Sequence, residues 1–529
     1  MKAFARLLDQ LILTPSRNEK VALVRRYLGT TPDPDRGYAL AALTGDLHLP
    51  AVKPAVLRAL VAERVDEVLF RLSYDYVGDL AETISLIWEA AGASEDLPLS
   101  VVVERLTSAS RGAAAAVVGD LLDRLDPSSR YALLKLVTGN LRTGFSARLA
   151  KVALAEHGGV PVTEIEELWH GLVAPYGELF AWLDGRASKP VNLARGPFRP
   201  VMLATPVSES ELAALDPAAF AAEWKWDGIR VQVVSDRGVR RLYSRSGDDI
   251  SAAFPDALDA IEFEGSIDGE LLVRHEGGVA PFAALQQRLN RKTVGKATLA
   301  DYPAFIRAYD LLVDADDDLR HLPFRDRRAR LESIITGKSP DRLDLSPLIP
   351  FEAWDELATR REAPPSPVIE GVMLKRWDSA YLAGRPKGPW FKWKRDPFVI
   401  DAVLMYAQRG HGRRSSFYSD YTFGVWTGEG ALTPVGKAYF GFTDEELLQI
   451  DRYVRDNTVE RFGPVRAVRA EPGHGLVLEV AFEGLNRSRR HKSGVAMRFP
   501  RISRLRWDKR PAEADRLEAL ESLLETTGA

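Results

Sequence analysis

The 529-residue chain has no cysteine. That excludes disulfides, thiolate catalysis and cysteine-ligated zinc. It also lacks any apolar run long enough to cross a bilayer. The start, Met1-Lys2-Ala3-Phe4-Ala5-Arg6, leads into an amphipathic pattern with Asp9 inside it. That is not the uninterrupted apolar centre of a signal peptide. The expectation is a cytoplasmic protein with no membrane partner. Excess charge is lacking too: 71 Lys and Arg stand against 74 Asp and Glu, a net charge of −3. A neutral total speaks against a polyanion binder, but a basic stripe can coexist with it. Such runs are Asn486 to Lys492, Arg409 to Arg414, and Arg501 to Arg510. Taken singly, each reads as a solvated face. There is no internal repeat and no low-complexity segment.

What is present is ordinary for a globular chain: 46% hydrophobic and 27% charged residues. The length calls for about three to four domains. Residues 1–190 read as helical. Thr14-Pro15 predicts a cap with proline at the first helical position. Asp126-Pro127 opens a second clear helix that ends at Thr138-Gly139-Asn140. The loop from Gly139 to Gly144, with Arg142 inside it, reads either as an inter-helix turn capped by glycine or as a phosphate contact. Ala187 to Pro197 reads as a linker. Residues 198–396 mix strands with helices at Pro281 to Lys292 and Phe324 to Ile335, an α+β pattern. Residues 397–529 are mostly strand, with one helix from Thr443 to about Arg461. That combination fits a small, partly open β-barrel of the OB type.

The richest segment is Glu223-Trp224-Lys225-Trp226-Asp227-Gly228-Ile229-Arg230. Lysine followed by x-Asp-Gly-x-Arg is the pattern on which covalent nucleotidyltransferases carry a nucleotide. A lysine amine becomes a nucleophile only when desolvated or crowded by other cations. The plain alternative is a strand with a turn, the two tryptophans facing away from Lys225. Lys392 and Lys394 alternate on a strand among Trp390, Phe391 and Trp393, so they project to one face. There they would stabilise an α-phosphate and lower the Lys225 pKa; otherwise they are solvated lysines on an edge.

Further segments follow Lys225 in order: Tyr243-Ser244-Arg245-Ser246-Gly247, Ile267-Asp268-Gly269-Glu270-Leu271, and Arg307-Ala308-Tyr309-Asp310-Leu311. After these come Glu370-Gly371-Val372-Met373-Leu374-Lys375, Trp390-Phe391-Lys392-Trp393-Lys394, and Arg498-Phe499-Pro500-Arg501. The ordered set resembles that of ATP-dependent DNA ligases over nearly the whole chain. Related families with the same lysine segment are RNA ligases and capping guanylyltransferases. The helical amino-terminal region and the Arg498 segment favour the DNA ligases. A non-catalytic DNA-binding scaffold would be expected to have lost Lys225, Glu370 or Lys394, and all three are present.

The resemblance implies a multi-domain protein: an all-α DNA-binding domain (1–190), an α+β nucleotidyltransferase domain (198–396) and a C-terminal OB-fold domain (397–529). It implies nick sealing through lysyl-AMP, with ATP as AMP donor and Mg²⁺ or Mn²⁺ as cofactor. NAD-dependent relatives carry a four-cysteine zinc module that this chain cannot build. By the same resemblance Lys225 is the nucleophile, and Lys392 and Lys394 contact the α-phosphate. Glu223 reads the adenine amino group, Tyr309 stacks on adenine, and Arg230 holds the ribose. Glu270 lies near ribose and metal, and Glu370 binds the metal. Arg245 meets a phosphate of the nick, and the resemblance tips Arg142 towards DNA as well. Arg498 and Arg501, with Asp508 and Lys509, orient the leaving pyrophosphate. The partner is nicked duplex DNA, met by a monomer most like bacterial repair ligases; in some relatives such genes sit beside those of helicases or nucleases, which would then be partners.

Overall fold

The computed structural model describes the chain apart from residues 50–52, 78, 90–91, 111, 140, 142, 193, 276, 290, 292, 337–340, 410–417, 440, 489 and 528–529. Arg142 therefore lies outside the described residues, as do Arg413, Arg414 and Arg489 of the basic runs. The chain divides into two compact units, Met1–Pro200 and Val201–Ala529.

In the first unit the described elements are helices, from Lys2–Leu13 to Gly177–Leu183. The opening helix shows why. Phe4, Leu7, Leu8 and Leu11 recur at helical spacing, and all are buried in one core with Val24, Leu133 and Leu154. The predicted cap at Thr14 is displaced. Thr14 ends the first helix, and Ser16 caps the next, Arg17–Thr30, by accepting from the Glu19 N–H. Ser16 stands three residues before Glu19, the spacing a capping hydroxyl needs. Asp126 caps Pro127–Thr138 as predicted, and that helix ends at Gly139 in the left-handed region (φ 68).

Among the described residues, the second unit is built on three larger sheets and a two-stranded ribbon. A four-stranded sheet has the order Thr205–Pro206, Trp390–Lys394, Ile369–Arg376, Phe220–Trp226. A seven-stranded sheet runs Val239–Ser244, Ile229–Asp236, Gly265–His275, Ala304–Asp314, with short strands at its margins. The hairpin between Ile229–Asp236 and Val239–Ser244 turns at Arg237 and Gly238, both at positive φ. Val233, Ile267, Ile306 and Leu331 are fully buried behind this sheet.

The third sheet is centred on Phe398–Arg409, which pairs with Tyr418–Trp426, Val465–Val468 and Val477–Phe482. Among the described residues no pairing joins its two ends, Leu432–Ala438 and Thr458–Phe462. The helix expected to reach Arg461 is Asp444–Asp456, with Thr443 and Glu446 forming a capping box. Thr458–Phe462 is instead a strand, paired antiparallel with Val465–Val468 across Gly463-Pro464. Its Thr, Val and Phe suit a pleated surface better than a helix. The helix expected over Pro281 to Lys292 is short, Phe282–Gln286. A terminal helix, Leu517–Thr527, docks Leu520 and Leu524 into the core of the third sheet.

Candidate active site

Lys225 lies near the end of Phe220–Trp226. Asp227 and Gly228 then carry the chain into the other sheet as Ile229–Asp236. The turn needs glycine for space. A Cβ on Gly228 would stand 2.6 Å from the Leu271 carbonyl oxygen and 2.8 Å from Glu270 Cγ. Its absence lets the Lys225 and Glu270 strands close on one cavity.

Strand register sets the cavity side chains in rows. Lys225 is opposite Gly371, and Gly371 is opposite Lys394. Two residues along, Glu223, Met373 and Lys392 form the next row, and Ala221, Lys375 and Trp390 the one after. Gly371 sits between the two lysines at φ +148, where a Cβ would come 2.3 Å from the Trp393 carbonyl oxygen. Glu370 stands at the bulge between Ile369 and Gly371. Apart from Gly371 and Ala221, these rows line a cavity of about 500 Å³ that also takes in Arg230, Arg245, Glu270 and Tyr309 from the seven-stranded sheet and the turn after it. Glu483 and Arg498 reach it from the carboxy-terminal part.

One end of the cavity is a charge network. Lys225 Nζ donates to Glu370 Oε2. Lys394 Nζ lies 3.6 Å from the same oxygen and 2.9 Å from Glu483. Arg498 donates to both oxygens of Asp227. Burial lowers the Lys225 pKa, but Glu370, Glu270 and Asp227 outweigh it, and the net shift is upward. The predicted lowering of Lys225 by its lysine neighbours is thus reversed, because carboxylates dominate its surroundings. Cations crowd Lys392 instead. Its pKa is lowered by burial first, then by Lys394, Arg385, Lys225 and Arg245. Burial pushes the Glu370 carboxyl up, yet Lys225 and Lys394 bring it below its ordinary value. Glu270 is pushed up to about 8, chiefly by burial.

The other end is aromatic and ion-paired. Lys375 Nζ sits 4.4 Å from the Tyr309 ring centroid and 4.7 Å from that of Trp390. It also bonds Glu223 at 2.6 Å, whose other oxygen accepts from Arg328 at 2.7 Å. Arg230 is anchored 2.6 Å from the fully buried Asp268 and 3.0 Å from the Tyr381 hydroxyl.

A match to the ATP dependent DNA ligase domain family spans residues 201–394, and one to the ATP dependent DNA ligase C terminal region spans 414–509. The "Probable DNA ligase" of Koribacter versatilis (strain Ellin345) is 32% identical over 565 residues, covering 99% of this chain and 96% of that protein. This chain belongs to the ATP-dependent DNA ligases. The "DNA ligase 1" of Korarchaeum cryptofilum (strain OPF8) is 31% identical over 551 residues, 99% of this ligase and 98% of that protein. The solved structure "Pmar-Lig_PreS3" covers 95% of the ligase and 99% of its own chain at a TM-score of 0.59 and 15% identity, a likeness of fold.

Of the residues singled out in the sequence, the ligase brings Glu223, Lys225, Arg230, Arg245, Glu270, Tyr309, Glu370, Lys392, Lys394 and Arg498 to one cavity. Arg501 lines an adjoining one of about 590 Å³. Asp508 and Lys509 line neither: Asp508 pairs with Arg506 at 2.9 Å and Lys509 with Asp401 at 2.6 Å. Sequence reasoning missed Lys375, Glu483 and Phe282, which line the cavity, and Arg328, which bonds Glu223 from behind its wall. Lys375 ended a quoted segment, and its alternation with Met373 was a usable signal. Arg328 lies in the arginine-rich stretch Phe324-Arg325-Asp326-Arg327-Arg328, which reads as a solvated helix, yet it is only 3% exposed.

Proposed function

We propose that this ligase seals nicks in duplex DNA through a lysyl-AMP intermediate on Lys225. In the first transfer the Lys225 amine attacks the α-phosphorus of ATP. An N–P bond forms, the P–O bond to pyrophosphate breaks, and Nζ gives up a proton. A 5′-phosphate oxygen of the nick then displaces the lysine from AMP. Finally the 3′-hydroxyl attacks that phosphate and expels AMP. Each transfer places charge on nonbridging oxygens, so positioning and cations carry the catalysis. The row Lys225–Gly371–Lys394, with Glu370 on both lysines, is the observation that carries the reading. The carboxylates around Lys225 favour its ammonium form, so the amine must give up a proton before it can attack.

Tyr309 offers a ring face to adenine, Glu223 an acceptor to its amine, and Arg230 a donor near the ribose. Lys392, Lys394 and Arg498 serve the phosphates, and Arg245 the nick. Among the described residues no three His, Cys, Asp or Glu side chains converge as a metal cage. Glu370 and Glu270 on one cavity fit an ion held by one or two carboxylates and otherwise by water and phosphate oxygens, which is the habit of Mg²⁺. Bound there, it would neutralise charge on the phosphates; Mn²⁺ takes the same donors.

The finer organisation belongs to the same proposal. It comprises a helical DNA-binding domain over 1–190 with Arg142 on a phosphate, a nucleotidyltransferase domain over 198–396, and an OB-fold domain over 397–529. The ligase is proposed to act as a cytoplasmic monomer in DNA repair or replication, where ATP and nicked DNA meet, with helicases or nucleases as partners.

Incubation with α-labelled ATP and Mg²⁺, then denaturing electrophoresis, tests the reading. The label should stay on the protein, and transfer to a nicked duplex should follow on chase. A protein that binds nicks but never takes the label would refute it.

A further inference from the structure

We infer that Arg328 sets the nucleotide selectivity of this ligase by fixing the plane of the Glu223 carboxylate. The inference rests on the reading above that Glu223 meets the exocyclic amine of adenine. Arg328 lies on the helix Phe324–Ile335, outside the segments that suggested the site. It does not line the cavity, whereas Glu223 does. Its guanidinium is held on three sides: Nη1 to Glu223 Oε1, Nη2 to the Ser346 carbonyl and Nε to Glu332 Oε1, each at 2.7 Å. Arg328 and Glu223 are 3% and 2% exposed.

Lys375 takes the other Glu223 oxygen, so each oxygen carries one cation. Each carboxylate oxygen has a second lone pair beyond its cation, and from the cavity wall Glu223 can offer one of these two to a ligand donor. An ammonium is a rotatable point donor and leaves the carboxylate free to turn about the contact. A planar guanidinium anchored at its other nitrogens does not. Buried ion pairs return little net stability against well-packed apolar residues. A buried Arg–Glu–Lys chain at a cavity wall is therefore explained by orientation of its central acceptor. Without Arg328 the carboxylate would still be charged and present, but its free lone pair would no longer be aimed.

The test compares self-adenylylation kinetics with ATP and with purine riboside 5′-triphosphate, which lacks the amine, the adduct being read by intact mass. A hydrogen bond to a charged acceptor should favour ATP by roughly ten- to a hundredfold in kcat/KM in the native ligase. Arg328→Met should bring that ratio to within a few-fold of one, mainly through the KM for ATP. Maximal rates should stay near native, because the Lys225 row is untouched. Arg328→Lys should restore part of the ratio, and it carries the test if Arg328→Met does not fold. In a Glu223→Gln background, Arg328→Met should change the ratio no further.

If Glu223→Gln leaves the native ratio intact, the Glu223 reading fails and the inference with it. If Glu223→Gln lowers the ratio while Arg328→Met and Arg328→Lys keep it native, only the inference is overturned. An equal loss of maximal rate for both nucleotides at an unchanged ratio would mark a purely structural role and overturn it as well.

Discussion

Replacing Gly371 with alanine probes the geometry of the site without removing a charged group. Gly371 separates Lys225 from Lys394 at φ +148, a conformation open in practice only to glycine. Forcing an L-residue into such a region costs about 1–3 kcal/mol. The added Cβ would stand 2.3 Å from the Trp393 carbonyl oxygen and 2.7 Å from Lys394 Cα, both backbone atoms. Neither can swing aside as a side chain tip would, so the two strands must part by ~1 Å, an overpacking cost of about 1–3 kcal/mol. The sheet should lose roughly 2–6 kcal/mol in all. A misplacement of about 1 Å between reacting groups lowers a rate about a hundredfold. Trp224, Trp226, Trp390 and Trp393 lie in this sheet, so tryptophan fluorescence in a urea series reports its unfolding. Single-turnover adenylylation reports the alignment. The expected result is a lower urea midpoint and a rate down by roughly two orders of magnitude, with far less change in nick affinity. A Gly371→Ala ligase with native midpoint and native rate would refute the reasoning about this row.

Lys225→Ala should abolish the labelled adduct yet still seal, in part, a nick already carrying 5′-AMP. An adduct at native level would show that another amine is the nucleophile. Tyr309→Ala should weaken ATP binding by about 1–3 kcal/mol, the usual worth of one base stack, while Tyr309→Phe stays near native; equal affinity for all three would place adenine elsewhere. ATP should support the adduct and NAD should not, since the chain has no cysteines for the zinc module of the NAD-type enzymes; equal yields would contradict that assignment. Deleting Met1–Pro200, a compact unit of its own, should spare self-adenylylation and sharply reduce nick sealing and its salt dependence. Loss of adenylylation would mean that this unit belongs to the catalytic fold.

The cavity residues were legible because each lies in one of the ordered segments that resemble the DNA ligases; local pattern by itself reached only Lys225, Lys392 and Lys394. Lys225 before Asp227-Gly228, and Lys392 alternating with Lys394, are fixed in direction by strand periodicity, which needs no tertiary knowledge. The amphipathic first helix and the Asp126-Pro127 cap were readable for the same reason: their causes lie within a turn of the residues themselves. The helix over Asp444–Asp456 was overextended, because Thr458–Phe462 becomes a strand only by pairing with Val465–Val468.

Sequence alone determined which side chains share a strand face and which glycines punctuate them. Tertiary structure decided what those side chains meet. It set Glu370 against Lys225, Arg498 against Asp227 and Arg328 against Glu223, pairs 145, 271 and 105 residues apart. It also reversed the predicted direction of the Lys225 pKa. A pKa answers to every charge within a few ångströms and to the water removed, and neither follows from position along the chain.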